Sequence, residues 1–325
     1  MICISTKNLF NSMKFSILVP SYKSKYFKEC IDSILDQTYR DFEIVIVNDA
    51  SPEDLDSIVA LYNDERILYY KNENNCGVLN VVDNWNKCLE FASGDYVICM
   101  GDDDRLLSKC LEEYVQLMEK YPGLGVYHAW TEMIDENSQF CGIQHPRPEY
   151  ESALSLIWNR WNGRYTQYIG DFCFDRECLK KNNGFYSIPM AWASDDITAA
   201  MAADNKGIAN TQTICFQYRV NSQTITNSGN WKSKIEATLL EEVWYQNYFC
   251  RKSRECLSDL DSKYLKLLEE QLVKRFSAKY KWELEKGFSS HSFGLLYGIW
   301  RRKDFCLNIS DIIKTWLKAK LINKE

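Results

Sequence analysis

The sequence lacks several patterns on which common enzyme classes depend. No Gly-x-Gly-x-x-Gly follows its first predicted strand, so a dinucleotide-binding fold of the usual kind is unsupported, and the phosphate-binding motif of P-loop proteins is missing too. Three residues are histidines, His128, His145 and His291, and none stands in a Ser-His-Asp or Cys-His arrangement typical of nucleophilic catalysis. We therefore assign no catalytic role to histidine.

Long apolar runs, zinc-type cysteine pairs and an excess of basic residues are also missing. No stretch of about eighteen apolar residues exists, so we expect no membrane-spanning helix. The thirteen cysteines form no Cys-x-x-Cys pair and follow no signal peptide, which favours reduced thiols in a cytosolic protein. The formal net charge of -6 argues against nucleic acid as a partner.

Short apolar runs alternate with amphipathic helical patterns through the first part of the chain. Strands are predicted at 14–20, 42–47, 66–71 and 125–133, with a further strand that begins at Tyr96 and runs into an aspartate triplet. Ser51 followed by Pro52, with an acid three residues after the serine, predicts a helix start. The alternation predicts an α/β fold with a doubly wound, mostly parallel sheet.

The triplet Asp102, Asp103 and Asp104 is the most unusual feature of the chain. Adjacent carboxylates repel one another and resist desolvation, so their concentration at a strand end favours a shared cation. Oxygen ligands suit magnesium or manganese, especially where phosphates complete the coordination. An acidic solvated turn is the other interpretation. A calcium loop is disfavoured because its sixth position, which requires glycine, would be Leu107.

Two further polar features share the predicted sheet edge with the triplet. The loop 20–23 follows the first strand and Asp49 follows the second. Ligands of such sheets bind beyond the carboxyl ends of the strands, near the switch in strand order. The set of three favours a site for a nucleotide and a metal ion.

The motifs along this edge resemble those of the inverting family-2 glycosyltransferases. They are VPSY at 19–22, IVNDAS at 46–51, an asparagine-rich loop with Gly77 and Asn84, and SGDYVICMGDDDRL at 93–106. The resemblance covers about residues 14–225 and implies the GT-A fold. It also implies nucleoside-diphosphate sugar donors and a divalent cation, Mn²⁺ or Mg²⁺.

The resemblance assigns residues to each part of that site. The implied nucleotide-binding residues are Pro20, Ser21, Tyr22, Asp49, Asn84, Asp102 and Arg219, and the implied metal-binding residues are Asp102, Asp103 and Asp104. Asp49 would bond the base, usually uracil. The family commonly has an aspartate where Gly101 stands, so the division of roles within the triplet stays open.

A second acidic motif implies the acceptor side of the site. Asn183-Gly184-Phe185 and the segment 193–197 resemble the family's glycine-Phe turn and acidic pair. Asp196 would be the catalytic base, with Asp195 as a supporting or alternative carboxylate, since an inverting transfer needs a carboxylate to accept the acceptor's proton. Capping of the following helix is the other explanation for this pair.

A basic motif follows. Residues 217–221 resemble a Tyr-Arg-x-His motif in which Asn221 replaces the histidine, which leaves Arg219 as the expected partner of the phosphates.

The predicted domains are a leader at 1–12, unstructured or misassigned, a catalytic domain at 13–227 and a helical C-terminal extension at 228–325. The catalytic domain divides into a nucleotide-binding half, about 13–135, and an acceptor half, about 136–227. Near the end, basic residues and tryptophans accompany an apolar stripe. This pattern is typical of an interfacial helix on anionic lipid, and equally of a helical hairpin docked on the catalytic domain or on a second subunit.

We therefore expect an enzyme that moves a hexosyl or N-acetylhexosaminyl group from a UDP-sugar to a glycan or lipid-linked acceptor, with inversion. The expected setting is cell-surface polysaccharide synthesis, in the cytoplasm or at the inner face of the membrane. A nucleotidyltransferase is an alternative, although the first strand lacks the glycine-rich basic loop that would hold a triphosphate. A non-catalytic nucleotide-sugar or glycan-binding subunit is another, suggested by Gly101 and Asn221.

Overall fold

A computed structural model of the chain describes residues 13–221, 230–290 and 294–322. The predicted leader at 1–12, the predicted domain boundary at 227/228 and His291 lie outside these ranges. The strands are β1 Phe15–Ser21, β2 Phe42–Asn48, β3 Ile67–Lys71, β4 Tyr96–Cys99, β5 Arg105–Leu106, β6 Val126–Ile134, β7 Phe140–Ile143, β8 Tyr150–Glu151, β9 Phe172–Asp175 and β10 Ile208–Arg219. The helices are α1 Phe27–Leu35, α2 Leu55–Val59, α3 Val81–Phe91, α4 Cys110–Lys120, α5 Ala153–Trp161, α6 Arg176–Lys181, α7 Ser194–Ala203, α8 Trp231–Lys252, α9 Asp259–Ser290, α10 Gly294–Arg301 and α11 Ile309–Ile322.

The strands form one sheet in the order β3-β2-β1-β4-β9-β6-β10-β5, with β7 paired to β6 and β8 paired to β10. Strands β1 to β4 run parallel to one another, and β6 runs parallel to β10. Strand β9 is inserted antiparallel between β4 and β6. The predicted α/β fold with a mostly parallel sheet is confirmed.

Every residue of β2 is buried, as is every residue of β1 except Pro20. Two apolar clusters cover the opposite faces of the sheet. One includes the buried sides of α1 and α4, and the other those of α3 and α7. Burial on both faces explains the continuous apolar runs in these strands. The polar loops of this part of the chain therefore lie at the carboxyl ends of the strands.

The helical extension is confirmed as well. Leu265, Leu268, Leu272 and Phe276 lie buried on α9, in a core shared with α5, α8 and α11. These four positions are predominantly packing residues, as their helical spacing predicts. None of the helices formed by the described residues has the length and apolarity needed to cross a membrane.

Two local predictions were wrong. The helix expected from Ser51 begins instead at Leu55, where Asp54 is the cap and accepts a hydrogen bond from the Ser57 N–H. Ser51 is used elsewhere, because its hydroxyl donates to the Tyr22 carbonyl at 2.6 Å. The spacing of Val78, Val81, Val82, Trp85 and Leu89 predicts one apolar helix face, but Val78 lies in a separate 3₁₀ turn and is exposed.

The cysteines within the described residues are free thiols.

Candidate active site

A cavity of about 580 Å³ lies at the carboxyl ends of β1, β2 and β4. It brings together residues that are far apart in the sequence. The predicted site residues that line it are Pro20, Ser21, Tyr22, Asp49, Asn84, Asp102, Asp103, Asp104 and Asp195. Strand order explains this, since parallel strands end at one edge where loops from both sides of the switch meet. Asp196 and Arg219, also predicted, are not among the lining residues.

The first aspartate of the triplet fixes the loop after β1. One carboxylate oxygen of Asp102 accepts hydrogen bonds from the backbone N–H groups of Tyr22 and Lys23, each at 2.7 Å. Burial and the neighbouring charge of Asp103 nevertheless raise the pKa of Asp102 to about 6. The Tyr22 ring is 44% exposed. Tyr22 also lines the cavity.

Asp104 holds the last residue of β10, and Asp103 holds the segment that follows it. Asp104 Oδ1 accepts from the Arg219 N–H at 2.9 Å, and Asp103 Oδ2 accepts from Asn221 Nδ2 at 2.5 Å. Their other oxygens share the space above Gly101. A Cβ atom at that glycine would lie 2.8 Å from Asp103 Oδ1 and 3.0 Å from Asp104 Oδ2. In this arrangement the two carboxylates occupy the place of a side chain at 101, which gives a physical reason for the glycine.

The electrostatics of these two carboxylates suit a cation. Burial raises the pKa of Asp103, and burial together with repulsion from Asp103 raises the pKa of Asp104 well above its usual range. Backbone hydrogen bonds from Asp103 itself and from Gly101 offset part of this rise at Asp103 and Asp104 respectively. The described residues include no group of three or more His, Cys, Asp or Glu side chains arranged to hold a metal. Two carboxylates still fit Mg²⁺ or Mn²⁺ where substrate phosphates and water supply the other ligands.

Asp49 and Asn84 line the cavity and are held in place by hydrogen bonds from other residues of the chain. The Asp49 carboxylate accepts from Asn72 Nδ2 at 2.7 Å, from Asn75 Nδ2 at 3.0 Å and from the Cys76 N–H at 3.0 Å. Asn84 accepts from Asn72 as well, at 3.1 Å. The asparagine-rich loop thus supplies amide donors that satisfy a buried carboxylate. Contact of Asp49 or Asn84 with a nucleotide stays a prediction.

The two aspartates of the acidic pair on α7 lie in different surroundings. Asp195 lines the cavity. Asp196 is 6% exposed and accepts from Arg160 Nε at 2.8 and 3.1 Å and from Gln167 Nε2 at 2.7 Å. Its backbone N–H donates to Asp195 Oδ1 at 2.9 Å, but the helix cap is Ala193, which makes no side-chain cap hydrogen bond. Both aspartates lie in the first turn of α7, where negative charge is favourable, and capping does not explain the pair.

Charge separates these two aspartates further. Burial and the adjacent charge of Asp196 raise the pKa of Asp195 to about 7. Burial would raise the pKa of Asp196 too, but the positive charge and hydrogen bonds of Arg160 keep it below its usual value. A general base works best with a pKa near the working pH and within reach of substrate. The geometry thus favours Asp195 over Asp196, the alternative that the sequence left open.

Arg219 lies behind the site. It is 1% exposed, and its guanidinium donates to the carbonyls of Asp103 and Asp135 at 2.8 and 3.1 Å. It also forms an ion pair with Glu29 at 2.5 Å and stacks over Tyr26, 3.9 Å from the ring centre. These bonds engage the guanidinium with protein groups, and its contact with a phosphate stays a prediction. Arg219 also supports the aspartate triplet.

Several residues of the site were missed from the sequence. Tyr168 and Tyr218 stack on one another with 3.4 Å between ring centres and line the cavity beside Asp195. Arg160 and Gln167, which hold Asp196, lie with Tyr168 in the segment 140–170, where no pattern was recognisable. Lys23 contributes the cationic side chain among the residues that line the cavity.

Comparisons with known proteins agree with this geometry. The sequence model of "Glycosyl transferase family 2" matches residues 16–181, just over half of the chain. An uncharacterized glycosyltransferase of Methanocaldococcus jannaschii is 35% identical over 139 residues, which are 41% of this chain and 46% of that protein. A GalNAc(5)-diNAcBac-PP-undecaprenol beta-1,3-glucosyltransferase of Campylobacter jejuni is 37% identical over 106 residues, 32% of this chain and 34% of that protein. The matches therefore span less than half the length of these curated relatives.

Two solved structures share the fold along almost the whole chain. TarS of S. aureus, in complex with UDP-GlcNAc, has a TM-score of 0.66 and 18% identity, covering 95% of this chain and 92% of that one. The mannosyltransferase PcManGT of Pyrobaculum calidifontis, in complex with GDP-Man and Mn²⁺, has a TM-score of 0.53 and 16% identity, covering 97% and 89%. At such identities the likeness establishes the GT-A-like architecture and its helical C-terminal region.

Proposed function

The chain belongs to glycosyl transferase family 2, and we propose that it transfers a sugar from a UDP-sugar to a hydroxyl of a glycan or lipid-linked saccharide, with inversion. A hexosyl or N-acetylhexosaminyl group and a role in cell-surface polysaccharide synthesis are part of this proposal. The observation that carries it is the single cavity in which the β1 loop, the aspartate triplet and Asp195 meet. In this cavity the carboxylates of the triplet lie on the proposed side of the donor diphosphate, and Asp195 lies on the proposed side of the acceptor hydroxyl.

In the proposed reaction the acceptor oxygen attacks the anomeric carbon as the bond from that carbon to the diphosphate breaks. Asp195 takes the proton of the acceptor hydroxyl, which balances the negative charge that leaves on the nucleoside diphosphate. Asp196 and Arg160 position Asp195 and set its pKa. Tyr22 stacks on the base and Lys23 lies near the phosphates. Asp102 orders the loop that carries both.

Asp103 and Asp104 are the residues that would hold a divalent cation. Bound there, Mn²⁺ or Mg²⁺ would neutralise charge on the diphosphate leaving group. The closeness of one oxygen from each carboxylate to the same point above Gly101 supports this assignment. So do the raised pKa values of both carboxylates, because a bound cation would favour their charged forms.

The proposal is tested by incubating the protein with a panel of UDP-sugars, Mn²⁺ and a set of oligosaccharide acceptors. Release of UDP together with a product whose anomeric configuration is opposite to that of the donor is the expected result, read by NMR. Release of pyrophosphate from a sugar phosphate and UTP would instead indicate a nucleotidyltransferase. UDP binding without transfer or hydrolysis across the panel would indicate a binding subunit.

The pH dependence of transfer follows from the pKa of Asp195. A base must be ionised, and this group is ionised only above a pKa of about 7. We therefore expect kcat/KM to level off above about pH 7 and to fall about tenfold per unit below it. UDP binding measured over the same range separates this effect from protonation of the triplet. A profile flat down to about pH 5 would exclude Asp195 as the base.

Asp196→Asn separates the two carboxylates of the pair. The charge of Asp196 is one cause of the raised pKa of Asp195. In the variant the charge of Asp196 is removed and the positive charge of Arg160 acts on Asp195 alone, which lowers the pKa of Asp195. The fall of kcat/KM at acid pH is therefore expected to shift to lower pH, while activity at alkaline pH remains. The amide still accepts a bond from Arg160, which limits the loss of stability. If this folded variant were inactive at every pH, Asp196 would be the base.

The C-terminal helices support a proposed contact with anionic lipid or with a second copy of the chain. Leu296 and Trp300 on α10, and Ile313 and Leu317 on α11, are exposed although they are large and apolar. Lys314 stands next to them on α11. We propose residues 13–227 as the catalytic domain and 228–325 as an extension that places it near its acceptor, in the cytoplasm or at the inner face of the membrane.

A further inference from the structure

A second depression, a groove of about 620 Å³, lies where the end of α5 meets one face of α9. Its lining includes Trp161 from α5 and Lys274, Arg275, Lys279 and Trp282 from α9. The α9 residues recur at helical spacing, so they form one continuous face. No acidic side chain is among the described residues that line this groove, which we call the basic groove.

The floor of the basic groove is rigid. Trp161 packs edge-on against Tyr245, Phe249 and Phe276, with ring centres 4.8, 5.5 and 5.9 Å apart. The Arg275 guanidinium lies 4.7 Å from the centre of the Trp161 ring, and its Nη1 donates to the Trp161 carbonyl at 3.0 Å. The guanidinium is therefore held in one orientation before any ligand arrives.

The rim of the groove is polar, charged and aromatic. Lys274 is exposed and has no ion-pair partner among the described residues. Trp282 is 49% exposed on the same face. Lys279 is directed by its ion pair with Glu241, 2.5 Å away, and remains partly exposed. Cationic side chains beside an exposed indole suit a ligand with both an anionic group and a flat apolar surface, such as a phosphorylated or acidic sugar.

The basic groove is connected to the active site by adjacent residues. Trp161 directly follows Arg160, which binds Asp196 at 2.8 Å. Asp196 lies next to Asp195 in the first turn of α7, and Asp195 lines the cavity. The charge of Lys279 also acts on Asp196. The basic groove is formed by α5 and α9, whereas the donor residues Pro20 and Asp49 lie at the ends of β1 and β2. The two sides thus meet the acidic pair through different elements, as the acceptor and donor sides of a transferase must.

We propose that the basic groove is an acceptor subsite that binds an anionic saccharide, with a phosphate or carboxylate on Lys274 and Arg275 and a sugar ring on Trp282. The proposal rests on the proposed function, because it treats the ligand as the acceptor of that transfer. It adds the chemical class of the acceptor, which neither the cavity nor the relatives specify.

Calorimetry tests the subsite without depending on turnover. Three probes are titrated into the full chain: maltotetraose carrying one 6-phosphate, unmodified maltotetraose and inorganic phosphate. We expect the phosphorylated tetrasaccharide to bind at least about tenfold more tightly than either other probe, since it alone engages both the cations and the indole. Equal affinity for phosphorylated and unmodified tetrasaccharide would overturn the proposal, as would equal affinity for phosphate alone.

A matched pair of double variants locates the binding. Lys274→Ala with Trp282→Ala is expected to weaken the phosphorylated probe about tenfold or more. Lys109→Ala with Leu61→Ala, which removes an exposed lysine and an exposed apolar side chain that do not line the groove, is expected to change nothing. Unchanged binding in the first double variant would contradict the proposal.

Two further measurements on the same samples keep the outcomes distinct. UDP binding reports the donor cavity, so a wild-type protein that binds UDP but not the phosphorylated probe refutes the subsite alone. Failure to bind UDP refutes the proposed function. Sedimentation with phosphatidylglycerol vesicles is the second measurement. If the vesicles capture the protein in a way that depends on Lys274 and Trp282, and no saccharide binds, the groove is a lipid contact instead.

Discussion

Asp195→Asn is expected to lower kcat by about 10²- to 10⁴-fold while UDP-sugar binding is unchanged. Asp195 is the carboxylate of the acidic pair that lines the cavity, and an amide cannot accept the proton of the acceptor hydroxyl. The substitution keeps the size of the side chain and an oxygen that can accept the hydrogen bond from the Asp196 N–H. The loss should therefore fall on the chemical step.

Single-turnover transfer and UDP calorimetry on the same preparation check this prediction. Asp83→Asn, at an exposed position of α3, is the matched control and should behave as wild type. An Asp195→Asn protein that transfers sugar at a rate within a factor of about ten of wild type would remove Asp195 from the proposed mechanism.

Asp104→Asn is expected to abolish metal-dependent binding of UDP and to lower transfer by about 10³-fold. One of the two oxygens that share the space above Gly101 then loses its charge, and a cation loses half of its proposed carboxylate ligands. The hydrogen bond from the Arg219 N–H can persist to the amide oxygen. The loss should therefore appear in UDP titrations with Mn²⁺ and be absent in titrations without it.

The same variant carries a second, opposite expectation for stability. The folded protein raises the pKa of Asp104 well above its usual value through burial and the charge of Asp103. At a pH above the pKa of Asp104 in the unfolded chain, ionisation of this carboxylate therefore lowers the free energy of unfolding. The loss grows as the pH rises from the unfolded-state pKa to the higher pKa of the folded protein. In the absence of metal, Asp104→Asn should melt at a temperature equal to or higher than that of wild type at neutral pH. A lower melting temperature would show that the carboxylate stabilises the fold.

The general architecture of the site could be predicted because it depends on local pattern. Apolar runs set β1, β2 and β4, and parallel strands place the residues that follow them at one edge. The β1 loop, Asp49 and the triplet therefore meet as predicted. The glycine at 101, which looked like a departure from the family pattern, fits the space taken by the carboxylates of Asp103 and Asp104.

The division of roles could not be predicted because it depends on contacts between distant segments. Asp195 and Asp196 are neighbours of identical chemistry, and they differ because Arg160, from α5, reaches one of them. Arg219 has the charge expected of a phosphate ligand, but its guanidinium forms an ion pair with Glu29 on α1. Such choices depend on tertiary packing, which neither periodicity nor motif spacing encodes.

Thermal unfolding with UDP, in the presence and absence of Mn²⁺, tests the central claim most directly: that the cavity at the ends of β1, β2 and β4 binds a nucleoside diphosphate through Asp103 and Asp104. At 100 times the dissociation constant, UDP with Mn²⁺ should stabilise wild type by about 2.7 kcal/mol, a rise of about 5 °C in Tm. Asp104→Asn should show no such dependence on the metal, while Asp83→Asn should match wild type. Equal stabilisation with and without Mn²⁺, or stabilisation that survives in Asp104→Asn, would contradict the assignment.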